Sequence, residues 1–202
     1  MKLYYFPQAC SMASHIVLEW IGKPYEIQEV TKEKLKTPEY LKLNPAGAVP
    51  TLTEGDWALT QNIAILEYLA EQAPAAGLMG DGSARSRAEV RRWLGFLNSD
   101  VHATFSLVFH PQRYLEEEAA QNALRAGAMA MLNKYFSILD RHLAEHPYLV
   151  GDTPSIADAY LYVMLRWGRH SGIGQDGNLA AFFERMHANP GVQAALKAEG
   201  LK

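Results

Sequence analysis

The sequence predicts an N-terminal α/β domain followed by an all-helical domain. Three observations carry this reading. Strand-like and helix-like hydrophobic periods alternate over residues 1–75, an Ala-, Gly- and Pro-rich stretch follows at 73–82, and every periodic segment from Ser83 onward is helical.

Lys2 to Phe6 is short, aromatic and apolar, as suits a buried strand. Ser11 to Ile21 places Met12, Ile16, Leu18, Trp20 and Ile21 among small residues, an amphipathic helix that Gly22 stops. Tyr25 to Val30 alternates Tyr, Ile and Val with Glu, Gln and Glu, giving a second strand. A short helical patch at Pro38–Leu43 runs into Asn44–Pro50, where two prolines and a glycine mark turns. Thr51–Glu54 and Trp57–Thr60 read as a hairpin bent at Gly55-Asp56. Gln61 to Glu71 is helical, with Ile63, Ile65, Leu66 and Leu69 apolar, which completes a β-α-β-α-β-β-α order. Beyond the linker, helices are predicted over Ser83–Phe109, Glu116–His146, Ser155–Trp167, Leu179–Ala188 and Val192–Glu199. Ser155, three residues before Asp158, predicts a capping box.

The 202 residues are 49% hydrophobic and 20% charged, enough to build a sizeable core. A formal net charge of -3 provides no global attraction to nucleic acid or anionic membrane. No apolar run reaches the roughly 18 to 20 residues that span a bilayer. Met1–Pro7, with one basic residue and a proline, lacks the pattern of a secretory signal. A single cysteine excludes an intramolecular disulfide framework and a zinc–thiolate cluster, so the expected compartment is the reducing cytosol.

Three local features carry chemistry. Cys10 follows a strand and a proline turn and precedes Ser11 at a helix start, where backbone N–H groups and the helix dipole favour a thiolate. The bland alternative is a small buried hydrophobe. Ser11 is either the helix N-cap or a hydroxyl donor to that sulfur. Val49-Pro50 is either a cis bond, whose neighbouring backbone groups pair with an extended ligand, or a trans turn. Thr60-Gln61-Asn62 opens a helix and is either a carboxylate-binding end or a simple cap.

Taken together and in order, these segments resemble the glutathione transferases, and Ala9-Cys10-Ser11 is similar to the bacterial beta class in particular. The resemblance rests on Tyr4-Tyr5, Pro7–Ser11, Asn44-Pro45-x-Gly47-x-Val49-Pro50 and Gln61-Asn62-x-Ala64-Ile65-x-x-Tyr68-Leu69. In the helical half it continues through Ser99-Asp100-Val101-His102, Gly151-Asp152-x-Pro154-Ser155-Ile156-Ala157-Asp158-Ala159-Tyr160 and Ala194–Gly200. It implies a thioredoxin-like glutathione-binding domain over 1–75, a linker at 73–82, and a helical domain over 83–202 carrying much of an electrophile site.

The same resemblance implies glutathione as co-substrate, conjugated to hydrophobic electrophiles in the cytoplasm by a homodimer, with no metal and no nucleic-acid or membrane partner. Cys10, Ser11 and His102 are then the catalytic set, with Cys10 against the glutathione sulfur and Ser11 and His102 donating to it. Val49 would pair with the cysteinyl unit beside a cis Pro50. Gln61 and Asn62 would hold the γ-glutamyl end, Lys34 would lie near the glycine carboxylate, and Ser99 and Asp100 belong to the same binding stretch. Asp100 would reach the γ-glutamyl amine across the dimer.

Two departures stand out: Gln61-Asn62 replaces an acid–serine pair, and Ala103 follows His102 where beta-class members commonly carry lysine. Tyr5 is a rival thiolate stabiliser. Phe105, Phe109, Tyr114 and Trp167 are expected near the second-substrate cleft. His142 and His146, four apart on one helix, are two ligands where zinc needs three or four. The competing functions are a thiol–disulfide reductase acting through Cys10, and a non-catalytic binding protein of the same fold.

Overall fold

The computed structural model describes residues 1–174 and 176–201. It begins with β1 (Lys2–Tyr5), α1 (Ser11–Ile21), β2 (Glu26–Glu29), α2 (Pro38–Leu43), β3 (Thr51–Glu54), β4 (Trp57–Thr60) and α3 (Asn62–Gln72). The strands form one mixed sheet in the order β2-β1-β3-β4, parallel between β1 and β2 and antiparallel elsewhere. This is the α/β arrangement expected from the alternating periods. The side-chain period of a strand explains β1, where Leu3 and Tyr5 are buried and Lys2 and Tyr4 are not.

The connection from α3 to the helical domain is anchored rather than loose. Leu78 is buried within it, and its carbonyl accepts from the Ile156 N–H at 3.1 Å. The helical part comprises α4 (Ala84–Phe96), α5 (Ala103–Phe109), α6 (Glu118–Leu143), α7 (Ile156–His170), α8 (Gly177–His187) and α9 (Pro190–Ala198). Helices α4 and α5 run on without a break as the single helix predicted over Ser83–Phe109. Between them, Leu97–His102 widens into a π-helical turn, and Thr104 Oγ1 donates to the Asp100 carbonyl at 2.7 Å. Such turns insert a residue into a helix and often mark functional positions.

The predicted capping box at α7 is present. Ser155 Oγ accepts from the Ala157 N–H at 3.2 Å, and Asp158 Oδ2 accepts from the Ser155 N–H at 2.8 Å. Asp158 Oδ1 also takes the Leu149 N–H at 2.8 Å, tying the preceding loop to the helix. Helix α9 starts earlier than its apolar period suggests. Asn189 Oδ1 accepts from the Gly191 and Val192 N–H groups, and Pro190 takes the first helical position.

Helix α1 lies at the centre of the molecule, packed on β1, α3, α7 and α9. Ser11 to Leu18 are all buried, because neighbours surround the helix on every side rather than along one stripe. Its polar members are therefore paired internally. His15 Nδ1 lies 2.9 Å from Glu199 Oε1 with both side chains fully buried, and His15 Nε2 lies 3.0 Å from Tyr25 Oη. Tyr25 in turn donates to Glu19. No helix among the described residues is long and apolar enough to cross a membrane.

Candidate active site

Strand β1 ends at Tyr5, and a tight turn carries the chain to Cys10 at the N-cap position of α1. Gln8 in this turn has a φ of 66° and Gln61, at the start of α3, a φ of 71°. These are the two non-glycine residues of positive φ among the described residues, and each stands at the entry to a helix. Backbone of this kind carries strain and tends to gather where a ligand is handled.

Opposite Cys10, the loop after α2 is held from behind. The Ala48 carbonyl accepts from both Asn44 Nδ2 and Tyr40 Oη, each at 2.7 Å. Gly47 has a φ of +59°, and a Cβ there would come within 3.0 Å of the Leu35 carbonyl oxygen, so the close approach needs glycine. The Val49–Pro50 bond is cis. The Cys10 thiol points across this gap, donating to the Val49 carbonyl oxygen at 3.6 Å.

Cys10 and Val49 form one side of a cleft of about 1000 Å³ between the two domains. Gly47, Ala48, Lys32 and Lys36 line the same side, and His102, Phe109, His110, Arg113, Arg166 and Trp167 line the helical side. Trp167 Nε1 bridges the two by donating to the Gln8 carbonyl at 2.7 Å. Phe109 and Trp167 meet edge to face at 5.5 Å between ring centroids, giving an apolar wall.

Of the residues singled out from sequence, Cys10, Val49 and His102 line the cleft, as do Phe109 and Trp167. Ser11 does not: its side chain is fully buried and its hydroxyl exchanges 3.3 Å contacts with the Phe6 N–H and carbonyl. It does not cap α1 either, since Cys10 occupies that position. Asn62 is also turned inward, where its Oδ1 accepts from Ser14 Oγ at 2.8 Å. Gln61 is exposed outside the cleft, and Pro50 is buried behind Val49.

Lys34 sits in a short 3-10 turn and is not part of the cleft wall, whereas its neighbours Lys32 and Lys36 are. Ser99 and Asp100 lie in the π-helical turn and do not line the cleft. Tyr5 is core, its ring 6.0 Å from His15, and burial with the nearby Glu29 and Glu199 raises its phenol pKa. Phe105 is fully buried beneath Phe109 and Trp167, and Tyr114 is 54% exposed. His142 Nε2 lies 3.0 Å from the Leu149 carbonyl. No group of three or more His, Cys, Asp or Glu arranged to hold a metal occurs among the described residues.

The protonation states follow from burial. The Cys10 thiol is pushed up to about 12 by desolvation, against the pull of the Cys10 and Ser11 backbone N–H groups. The thiolate expected at a helix start is thus outweighed, and Cys10 is a neutral thiol at neutral pH. Burial likewise lowers His102 to about 4, so the imidazole is neutral there.

Sequence reasoning missed the partner that orients this histidine. Tyr160 Oη is 2.5 Å from His102 Nδ1 and 3.2 Å from Asn98 Oδ1. The phenol donates to Asn98 Oδ1, and its contact with Nδ1 fixes the orientation of the imidazole ring. Tyr160 had been grouped only with the buried capping segment, whose local pattern holds no sign of a contact 58 residues away in sequence.

Comparison with known proteins gives one answer. Residues 9–72 match the family model for the glutathione S-transferase N-terminal domain, and residues 97–190 match that for its C-terminal domain. The chain is 51% identical over 203 residues to glutathione S-transferase GST-4.5 of Xanthomonas campestris pv. campestris, covering 100% of both. It superimposes on a glutathione-S-transferase from Xylella fastidiosa with a TM-score of 0.96 and 48% identity, covering 100% of this chain and 99% of that one. A bacterial beta class glutathione S-transferase from Sphingomonas chungbukensis gives 0.87 and 37%, covering 100% of each chain.

Proposed function

The chain belongs to the glutathione S-transferase family, and on that premise we propose how its cleft divides the work between glutathione and a second substrate. It is a glutathione transferase of the bacterial beta type. Glutathione lies along the α/β side as an extended peptide, its cysteinyl unit pairing with the Val49 backbone. Lys36, which lines the cleft, takes the glycine carboxylate in place of Lys34. The γ-glutamyl end lies at the N-terminus of α3, where orphan N–H groups suit a carboxylate. Asn62 contributes there through its backbone, because its side chain is buried with Oδ1 accepting from Ser14. Its amine is met by Asp100 of a second copy in a homodimer, in the cytoplasm.

The single observation that carries this reading is that His102 and Cys10 line one cleft from opposite domains. The His102 imidazole meets the glutathione sulfur in a hydrogen bond and favours the charged form. The thiolate then attacks an apolar electrophile held against Phe109 and Trp167. Cys10 remains a neutral neighbour. Disulfide exchange through Cys10 needs its thiolate, which a pKa of about 12 makes scarce, so conjugation is the leading activity.

The test pairs retention on immobilised glutathione with conjugation of chlorodinitrobenzene by the wild-type chain and by His102→Ala. Retention together with a drop of about tenfold or more in kcat/KM for the variant is expected, the size of one charge-assisted hydrogen bond. No retention, or an unchanged kcat/KM in His102→Ala, would sink the assignment.

A further inference from the structure

The cleft carries more positive charge than an apolar electrophile calls for. Lys32, Lys36, Arg113, Arg166 and Arg169 all line it, and no aspartate or glutamate is among its lining residues. Two of these cations have partners at hand: Arg169 donates to Glu184 at 3.0 Å, and Arg166 Nη1 to Tyr162 Oη at 3.3 Å.

The cleft lining brings together basic groups from two distant segments. Lys32 follows β2, His110 ends α5, and Arg113 closes the 3-10 turn beyond it. His110 is held below its ordinary pKa by burial and by the positive charges of Arg113 and Lys32. Like charges converging on one concave surface repel each other, and an anion arriving there relieves that repulsion.

The same cleft also offers aromatic surface. Helix α7 presents Val163, Arg166, Trp167 and His170 to the cleft, at i, i+3, i+4 and i+7 on one helical face. Trp167 and Phe109 meet at 5.5 Å on that surface. Basic groups and aromatic surface in one cleft together describe a ligand with two ends of different character.

We propose that the second substrate is an amphipathic anion, with its apolar, electrophilic body on Phe109 and Trp167 and a carboxylate-like group held by Lys32, His110 and Arg113. This rests on the transferase reading above and narrows its substrate class. In the reaction the glutathione sulfur forms the new C–S bond, the leaving group departs with its electron pair, and the thiol proton passes to water. The anionic group is a handle and takes no part in the bond changes.

The experiment compares chlorodinitrobenzene with chloronitrobenzoate, a neutral and a carboxylate-bearing aryl chloride, each kcat/KM normalised to its uncatalysed rate with glutathione. The full chain is assayed as wild type, Arg113→Gln and Lys32→Gln; both positions are exposed, so folding is not at stake. The carboxylate-to-neutral ratio is expected to fall about tenfold in Arg113→Gln, the size of a charge-assisted hydrogen bond. It is also expected to fall in the wild type as salt is raised.

A ratio that does not change in either variant overturns the proposal. So does a rise in glutathione KM that is equal with both electrophiles, since that assigns the cluster to glutathione's own carboxylates. Conjugation of neither electrophile by the wild type fails the transferase reading first, and this proposal with it.

Discussion

The indole nitrogen of Trp167 donates to the carbonyl oxygen of Gln8, 2.7 Å away, and so ties α7 to the turn that delivers Cys10. The bond joins residues 159 apart in sequence and crosses between the two domains. Trp167→Phe keeps most of the apolar wall and removes the donor. The expected result is a stability loss of about 1 kcal/mol and a higher KM for the electrophile, read by denaturant titration and steady-state kinetics. An unchanged KM would mean the tie is incidental to the cleft.

Cys10 lines the cleft, yet desolvation raises its thiol pKa despite its place at a helix start. Its alkylation by iodoacetamide at neutral pH is expected to be slower than that of free glutathione, rising only towards pH 12, where the thiol ionises. Mass spectrometry of the intact chain reads the rate. Cys10→Ala is expected to keep conjugating activity within about threefold, as befits a neighbour that forms no bond to the electrophile.

His102 titrates near 4 rather than 6.5, which sets two pH dependences. Its folded-state pKa is depressed, so between about 6.5 and about 4 the unfolded chain takes up a proton that the folded chain refuses. Stability falls as pH drops through that window, by an amount on the order of 2 kcal/mol. His102→Gln should flatten this part of the curve in denaturant titrations. The kcat/KM profile should likewise show no histidine ionisation near 6.5.

Tyr160→Phe tests how the imidazole is held. Without the phenol, Nδ1 loses its hydrogen-bond partner and the ring its fixed orientation. A drop of roughly fivefold to tenfold in kcat is expected with little change in glutathione KM, and the thiolate absorbance of bound glutathione should weaken. A matching rise in KM would point to a packing defect instead.

His15 and Glu199 form a fully buried pair, and removal of one partner strands the other. His15→Ala is expected to lower stability by about 3 kcal/mol or more in denaturant titration. Gly191→Ala probes the same helix contact from the other side, because a Cβ there would lie 2.5 Å from Trp20 Cδ1. A loss of about 1 to 3 kcal/mol is expected.

Much of this architecture was legible in the sequence because it depends on local periods and caps. The aromatic, apolar run of β1, the Ser155–Asp158 capping box and the turn residues around Gly47 all act within a few residues. His102, Cys10 and Val49 were found from motifs and do line the cleft. What was missed depends on three-dimensional neighbours. The direction of Ser11 is set by the Phe6 backbone, that of Asn62 by Ser14, and the orientation of His102 by Tyr160. The choice of Lys32 and Lys36 over Lys34 is made by a single 3-10 turn. The π-helical turn at Leu97–His102 carries an apolar pattern that a continuous helix would also show.

Glu199 meets His15 across 184 residues of chain. Helix α1 precedes α7 and α9, two of the helices that cover it, by more than half of the described chain. The nascent α/β half must hold an uncovered apolar helix, with a histidine lacking its carboxylate, until those helices have been made. Two genes encoding the halves separately would therefore yield an N-terminal fragment prone to aggregate, even though its sheet is complete.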